Sequence, residues 1–135
     1  MGNYNEALKT YKEVEKIQKD VLGEKHPSYL TTKSNIGLCL DHMGNYNEAL
    51  ETYKEVEKIQ KDVLGEQHPD YLTTKNNIGI CLEGMGNYNE ALKTYKEVEK
   101  IQKDVLGEQH PSYLKTKDNI ESCYKRLIIQ GGVVS

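Results

Sequence analysis

The chain has no tryptophan and no phenylalanine, and ten tyrosines carry all of its aromatic mass. Its core must therefore be built from aliphatic side chains and tyrosine rings, whose hydroxyls need partners when buried. Proline occurs three times, each time directly after a histidine. No apolar run approaches the roughly 20 residues that span a bilayer, and no basic-then-apolar signal opens the chain, so no membrane partner is expected. The net charge is only −3, with Lys and Glu interleaved. Nucleic-acid binding needs a basic stripe that displaces counterions, so no nucleic acid is expected either. Cysteine is scarce and odd in number: Cys39, Cys81 and Cys123 recur 42 residues apart. That spacing argues against a disulfide framework and for a reducing compartment, with a cytoplasmic location expected.

What the chain does have is repetition. The string MGNYNEAL opens at Met1, Met43 and Met85, and residues 1–42 match 43–84 at 35 of 42 positions. Residues 43–84 match 85–126 at 33. Units this alike see nearly the same surroundings, because their neighbours are copies of themselves.

Each unit contains two helical patterns. From Tyr46 to Leu64, the residues Tyr46, Ala49, Leu50, Tyr53, Val56, Ile59 and Val63 recur at gaps of three and four, one stripe of a helix. Asn45 and Glu48 predict a reciprocal N-cap, and Gly65 a C-cap with positive φ. A shorter helix starts at Pro69, since proline suits the first helical position, and ends before Gly86. Gly79 lies inside it, where glycine costs about 1 kcal/mol against alanine, so a neighbouring helix is expected to approach closely there. The four-residue link Gly65-Glu66-Gln67-His68 makes the two helices antiparallel neighbours. One pair cannot bury its own apolar face, but a stack can.

From Ile36-Gly37 onward, the spacing of Leu40, Gly44, Tyr46, Ala49, Tyr53 and Val56 is similar to the tetratricopeptide pattern, and it repeats from Ile78-Gly79 through Leu82, Gly86, Tyr88, Ala91, Tyr95 and Val98. The first unit carries only its later half. The period is 42 rather than 34, no proline ends the longer helix, and Lys33 and Lys75 stand where the family's early tryptophan is expected. With its Leu-Gly-x-x-His-Pro loop and Asn-Ile-Gly start, the array resembles the kinesin-light-chain type of tetratricopeptide repeat. The resemblance implies an all-α fold, an α-solenoid of antiparallel helix pairs (a TPR-like superhelix) with about six helices. The array covers residues 1–126 in copies 1–42, 43–84 and 85–126, leaving 127–135 as an apolar C-terminal tail.

Most columns that vary between copies fall on the shorter helix. Thr31, Ser34, Leu38, Asp41 and His42 project within about 100° of arc, one stripe. The same columns hold Thr73, Asn76, Ile80, Glu83 and Gly84 in the second copy, and Lys115, Asp118, Ser122, Lys125 and Arg126 in the third. The resemblance implies that the shorter helices line a concave groove and that this stripe faces it. Asn35, Asn77 and Asn119 flank the stripe unchanged, and in the family an asparagine here often holds a peptide backbone. The candidate binding set is therefore Thr31, Ser34, Asn35, Leu38, Asp41, His42, Thr73, Asn76, Asn77, Ile80, Glu83, Lys115, Asp118, Asn119 and Ser122. A solvated face free to drift is the alternative.

Chemistry is expected to be absent. His26, His68 and His110 precede proline once per helix pair, too far apart for the roughly four ligands a zinc ion gathers, so no metal or cofactor is expected. The cysteines lie on the apolar face as small core residues. No phosphate loop, dinucleotide fingerprint or nucleophile–base pair is present. The expected function is a non-enzymatic scaffold for a protein or peptide ligand, with a structural, self-associating array as the alternative. An enzyme would require a catalytic domain in flanking sequence. Glu121 and Ser122 replace Gly79 and Ile80 as a polar end to the stack, while the first helix should expose Tyr4, Leu8, Tyr11 and Val14. A weak homodimer through that N-terminal helix is expected. The tail can fold back, dock on another chain or fray, and a chain that begins on a longer helix reads equally as a piece of a longer array or as starting at Met1.

Overall fold

The computed structural model describes residues 3–131. Six α-helices fill them: α1 (Tyr4–Val21), α2 (Pro27–His42), α3 (Tyr46–Val63), α4 (Pro69–Gly84), α5 (Tyr88–Leu106) and α6 (Pro111–Ile129), with no strand among the described residues. The chain thus forms the expected all-α solenoid, each copy contributing an odd-numbered helix followed by an even-numbered one.

The even-numbered helices all start alike. Proline occupies the first turn, where its missing N–H leaves nothing unpaired. The preceding histidine is the N-cap, its Nδ1 accepting the backbone N–H two residues on at 3.1 Å. Asn3, Asn45 and Asn87 head the odd-numbered helices, but the reciprocal cap expected of Asn45 and Glu48 is not made. The Asn3 side chain accepts the Glu6 N–H at 3.4 Å, whereas Asn45 and Asn87 make no side-chain cap bond. Their N–H groups are drawn back to the Leu40 and Leu82 carbonyls at 2.8 Å.

Glycine ends most of the helices. Gly107 follows α5 with φ 92 and ψ 161, a region essentially closed to other residues. Gly44 and Gly86, at φ +85 and +83, turn the chain after α2 and α4. In α6, Leu127 occupies the register of Met43 and Met85, but Ile128 stands where those glycines would be. A β-branched residue resists positive φ, so α6 runs on to Ile129 and the turn is deferred to Gly131 at φ +72. The tail expected from residue 127 therefore begins as helix, with Leu127 buried. Residues 132–135 lie outside the described residues.

Consecutive helices pack antiparallel. Gln60 meets Thr74, Glu57 meets Lys75 and Tyr46 meets Gly84, so moving back along α3 moves forward along α4. One core threads the stack through Ile36, Leu40, Ala49, Tyr53, Ile78, Leu82, Ala91, Tyr95 and Leu127. The helix-interior glycines are what the tyrosines require. A Cβ on Gly37 would lie 2.8 Å from the Tyr53 ring, and one on Gly79 would overlap the Tyr95 ring. Fully burying a large apolar side chain contributes about 1.5–3 kcal/mol, more than the glycine costs the helix.

Lys33 and Lys75 link successive odd-numbered helices. Lys33 Nζ lies 2.9 Å from Glu15 on α1 and 2.9 Å from Glu55 on α3. Lys75 reaches Glu57 on α3 at 3.3 Å and Glu97 on α5 at 3.0 Å. Burial works against the charge on each lysine, but the carboxylates, by accepting hydrogen bonds and by their nearby negative charge, together outweigh it and hold both ammonium groups above their ordinary range. On the other side of the stack, α2 touches α4 directly and Asn76 of α4 bonds to Thr116 of α6.

Candidate functional site

Three clefts lie along the even-numbered side. The first, about 410 Å³, sits between α2, α4 and the end of α3, lined by Thr31, Ser34, Asn35, Thr73 and Asn77 with Leu30, Gln60, Val63 and Leu64. The second, about 190 Å³, lies between α4, α5 and α6, lined by Thr73, Asn76, Asn77, Ile80, Lys115 and Asn119 with Gln102 and Leu106. The third, about 450 Å³, is formed at the far ends of α2, α4 and α6 by Asp41, His42, Ile80, Glu83, Asn119 and Ser122 with Tyr46, Gly84 and Arg126. Thr73 and Asn77 belong to the first two, and Ile80 and Asn119 to the last two. The clefts are therefore segments of one groove. Every candidate residue except Leu38 and Asp118 lines it. Leu38 is 46% exposed on α2 and Asp118 is exposed on α6.

Several of these residues also hold the stack together. The Tyr95 hydroxyl donates to Glu83 Oε2, and Glu83 Oε1 lies 3.6 Å from Arg126 of α6. Cys81 Sγ donates to Asp41 Oδ1 at 3.7 Å. Burial pushes the Tyr53 and Tyr95 hydroxyls well above their ordinary range, with Glu83 adding to the effect at Tyr95. The column Asp41, Glu83, Lys125 thus follows a structural rule. A carboxylate faces a buried tyrosine of the next odd-numbered helix, and a lysine appears on α6, the last described helix. His42 Nδ1 sits 3.2 Å from the Tyr4 hydroxyl, while Gly84, one copy later, lets the Tyr46 ring fill that place.

The groups that could suggest catalysis are occupied or masked. All three cysteines are buried and unpaired. Burial, then Asp41, pushes the Cys81 thiol up to about 12, and burial, then Glu83, does the same at Cys123. Both are thiols rather than nucleophilic thiolates at neutral pH. The three proline-linked histidines use Nδ1 as helix caps. Among the described residues, no three His, Cys, Asp or Glu side chains gather as metal ligands would.

The contribution of the odd-numbered helices to the groove was not legible in the sequence. Gln60 and Gln102, each buried, form part of its floor, with Val63, Leu64, Leu106 and Tyr46 at its edge. The available signal was a glutamine recurring at 18, 60 and 102 beside the apolar stripe, where a surface helix would place any polar residue.

A family model described as tetratricopeptide repeat matches residues 1–62, 32–104 and 70–127. No curated protein sequence matches the chain. Among solved structures, the nearly identical TPR-like repeats assigned to a kinesin light chain of Podosopora anserina are similar at 28% identity and a TM-score of 0.83, covering 91% of this chain and 58% of that one. BtubC (BKLC) from P. vanneervenii shares the fold at 21% identity and a TM-score of 0.83, covering 92% of this chain and 50% of that one. The chain thus spans between half and three-fifths of the length of these structures.

Proposed function

The chain belongs to the tetratricopeptide repeat family, commonly a family of protein-interaction scaffolds, and from that premise we propose that it binds an extended peptide segment of a partner protein in the groove of α2, α4 and α6. The carrying observation is the continuity of the three clefts through Thr73, Asn77, Ile80 and Asn119. Asn35, Asn77 and Asn119 repeat along it at a 42-residue spacing, and each amide can both donate to and accept from a peptide backbone. Ile80, 40% exposed, offers an apolar contact for side chains. The inert thiols and capping histidines support a non-catalytic role. The unpaired thiols suit the cytoplasm. Partners are protein rather than nucleic acid, given the small acidic net charge. No helix among the described residues is long and apolar enough to cross a membrane.

Random peptides displayed on phage supply the test. A selected peptide, fluorescently labelled, should bind the double variant Asn77→Ala/Asn119→Ala at least about tenfold more weakly, the effect of one or two lost hydrogen bonds. The melting temperature should move by no more than about 2 °C. Unchanged affinity would overturn the groove reading.

The structural alternative draws on α1, which buries none of its residues. Val14 is 37% exposed where its counterparts Val56 and Val98 are fully covered, and Ile17 is 63% exposed. This face has the same composition as those that α2 and α4 cover on α3 and α5, so a second copy pairing α1 with α1 would bury both. Head-to-tail stacking on α6 is opposed by Glu121, in the register where Gly79 admits a tyrosine ring. Light scattering over a dilution series should then show a concentration-dependent dimer. A mass that stays monomeric at high concentration would count against it.

A further inference from the structure

The first two clefts are built from corresponding residues but are not bonded alike. In the first, Thr74 Oγ1 donates to Gln60 Oε1 at 2.6 Å. The corresponding residue on α5 is Gln102, only 4% exposed, and its natural partner is Thr116 on α6. Asn76 of α4 donates Nδ2 to Thr116 Oγ1 at 3.0 Å, and the Thr116 proton goes to the Ser112 carbonyl at 3.1 Å. Ser34, in the same column one copy earlier, makes no such bond because its side chain is shorter. Like Gln18 Oε1 on α1, Gln102 Oε1 and Asn76 Oδ1 are buried and without a donor. Buried acceptors are rarely left so, and both residues line the 190 Å³ cleft.

We propose that the cleft between α4, α5 and α6 receives a side-chain carboxamide, the Gln or Asn of an extended peptide, an assignment that rests on the groove reading above. The chemistry selects the group by exclusion. A carboxylate brings no donor and sets its charge against two carbonyl oxygens. An ammonium group brings donors but enters beside Lys115 at the rim. An aliphatic side chain fills the volume against Ile80 and Leu106 and leaves both acceptors unmatched. A carboxamide supplies two N–H donors for the two oxygens and a carbonyl for Lys115 or Asn119. The first cleft, where Gln60 is already satisfied, has no such demand.

The probe is an acetylated, amidated nonapeptide of alternating Ala and Ser with Gln at its centre, compared with analogues carrying Glu, Leu or Lys there. Titrations are followed by the ¹⁵N–¹H spectrum of the full chain. The Gln peptide should bind about tenfold more tightly than the Glu and Leu analogues and shift the side-chain amide signals of Gln102 and Asn76. Asn76→Ser removes one of the two acceptors, so it should erase the preference while leaving groove binding in place. Equal binding of all four peptides overturns the carboxamide assignment and leaves the groove reading standing, as does a Gln preference that survives Asn76→Ser. Four peptides that shift no groove residue at millimolar concentration overturn both.

Discussion

Individual residues carry most of what distinguishes this array from a generic helix stack. Gly79 has almost no tolerance for a side chain, because the Tyr95 ring it faces is fully buried and held by Glu83. Gly79→Val should lower stability by about 1–3 kcal/mol, because overpacking against the Tyr95 ring outweighs the small gain in helix propensity over glycine. Urea unfolding followed by circular dichroism measures this, and a midpoint close to that of the parent would disprove the packing. The need for glycine here was legible in the sequence, since a helix-interior glycine asks for a close neighbour. Which atom fills the space was not. Nor was the bond from Tyr95 to Glu83, or the bond from Asn76 to Thr116. Those depend on how far one helix slides along another, and a one-residue change in register would exchange all the partners.

Among the elements, the even-numbered helices owe their starts to histidine rather than to the usual Ser, Thr, Asn or Asp. Proline at the first helical position was legible in the sequence, and the structure adds a hydrogen bond to the histidine from the residue two positions on. His110→Ala should therefore cost about 1 kcal/mol, within the usual range for a lost cap, and His110→Asn should recover most of it. Thermal melts of both variants check the pair, and an alanine variant as stable as the parent would remove the cap from the account. Helix ends were legible wherever glycine marked them. The longer reach of α6 was less so, although Ile128 in the column of Gly44 and Gly86 is its cause. The expected cap at Asn45 failed because the preceding helix competes for the same backbone N–H, a tertiary effect that local sequence does not carry.

For the whole molecule, the groups with displaced proton affinities all point one way. Lys33, Lys75, Tyr53, Tyr95, Cys81 and Cys123 each hold their proton more tightly when folded. A raised folded value means the stabilisation is complete below the ordinary value and is lost as pH climbs past it. Those ordinary values are 9.0 for the thiols, 10.0 for tyrosine and 10.5 for lysine. The melting temperature should be flat around neutrality, begin to fall near the thiol value and drop further through the tyrosine and lysine values. A melting temperature that held steady beyond the lysine value would contradict the bridges and buried hydroxyls described above. Of the candidate site, the even-numbered helix stripe was legible from where the copies differ. The floor supplied by α3 and α5 was not, because Gln60 and Gln102 never vary between copies and so gave no contrast.

The central claim is that the groove of α2, α4 and α6 is the face that meets a partner. The most direct measurement is a ¹⁵N–¹H chemical-shift map of the chain with a peptide selected from a random library, every backbone amide assigned. Shifts should concentrate on Asn35, Thr73, Asn77, Ile80, Asn119 and Ser122, with the outward sides of α3 and α5 unmoved. Shifts confined to the outer faces of the odd-numbered helices, or to the open side of α1, would contradict it.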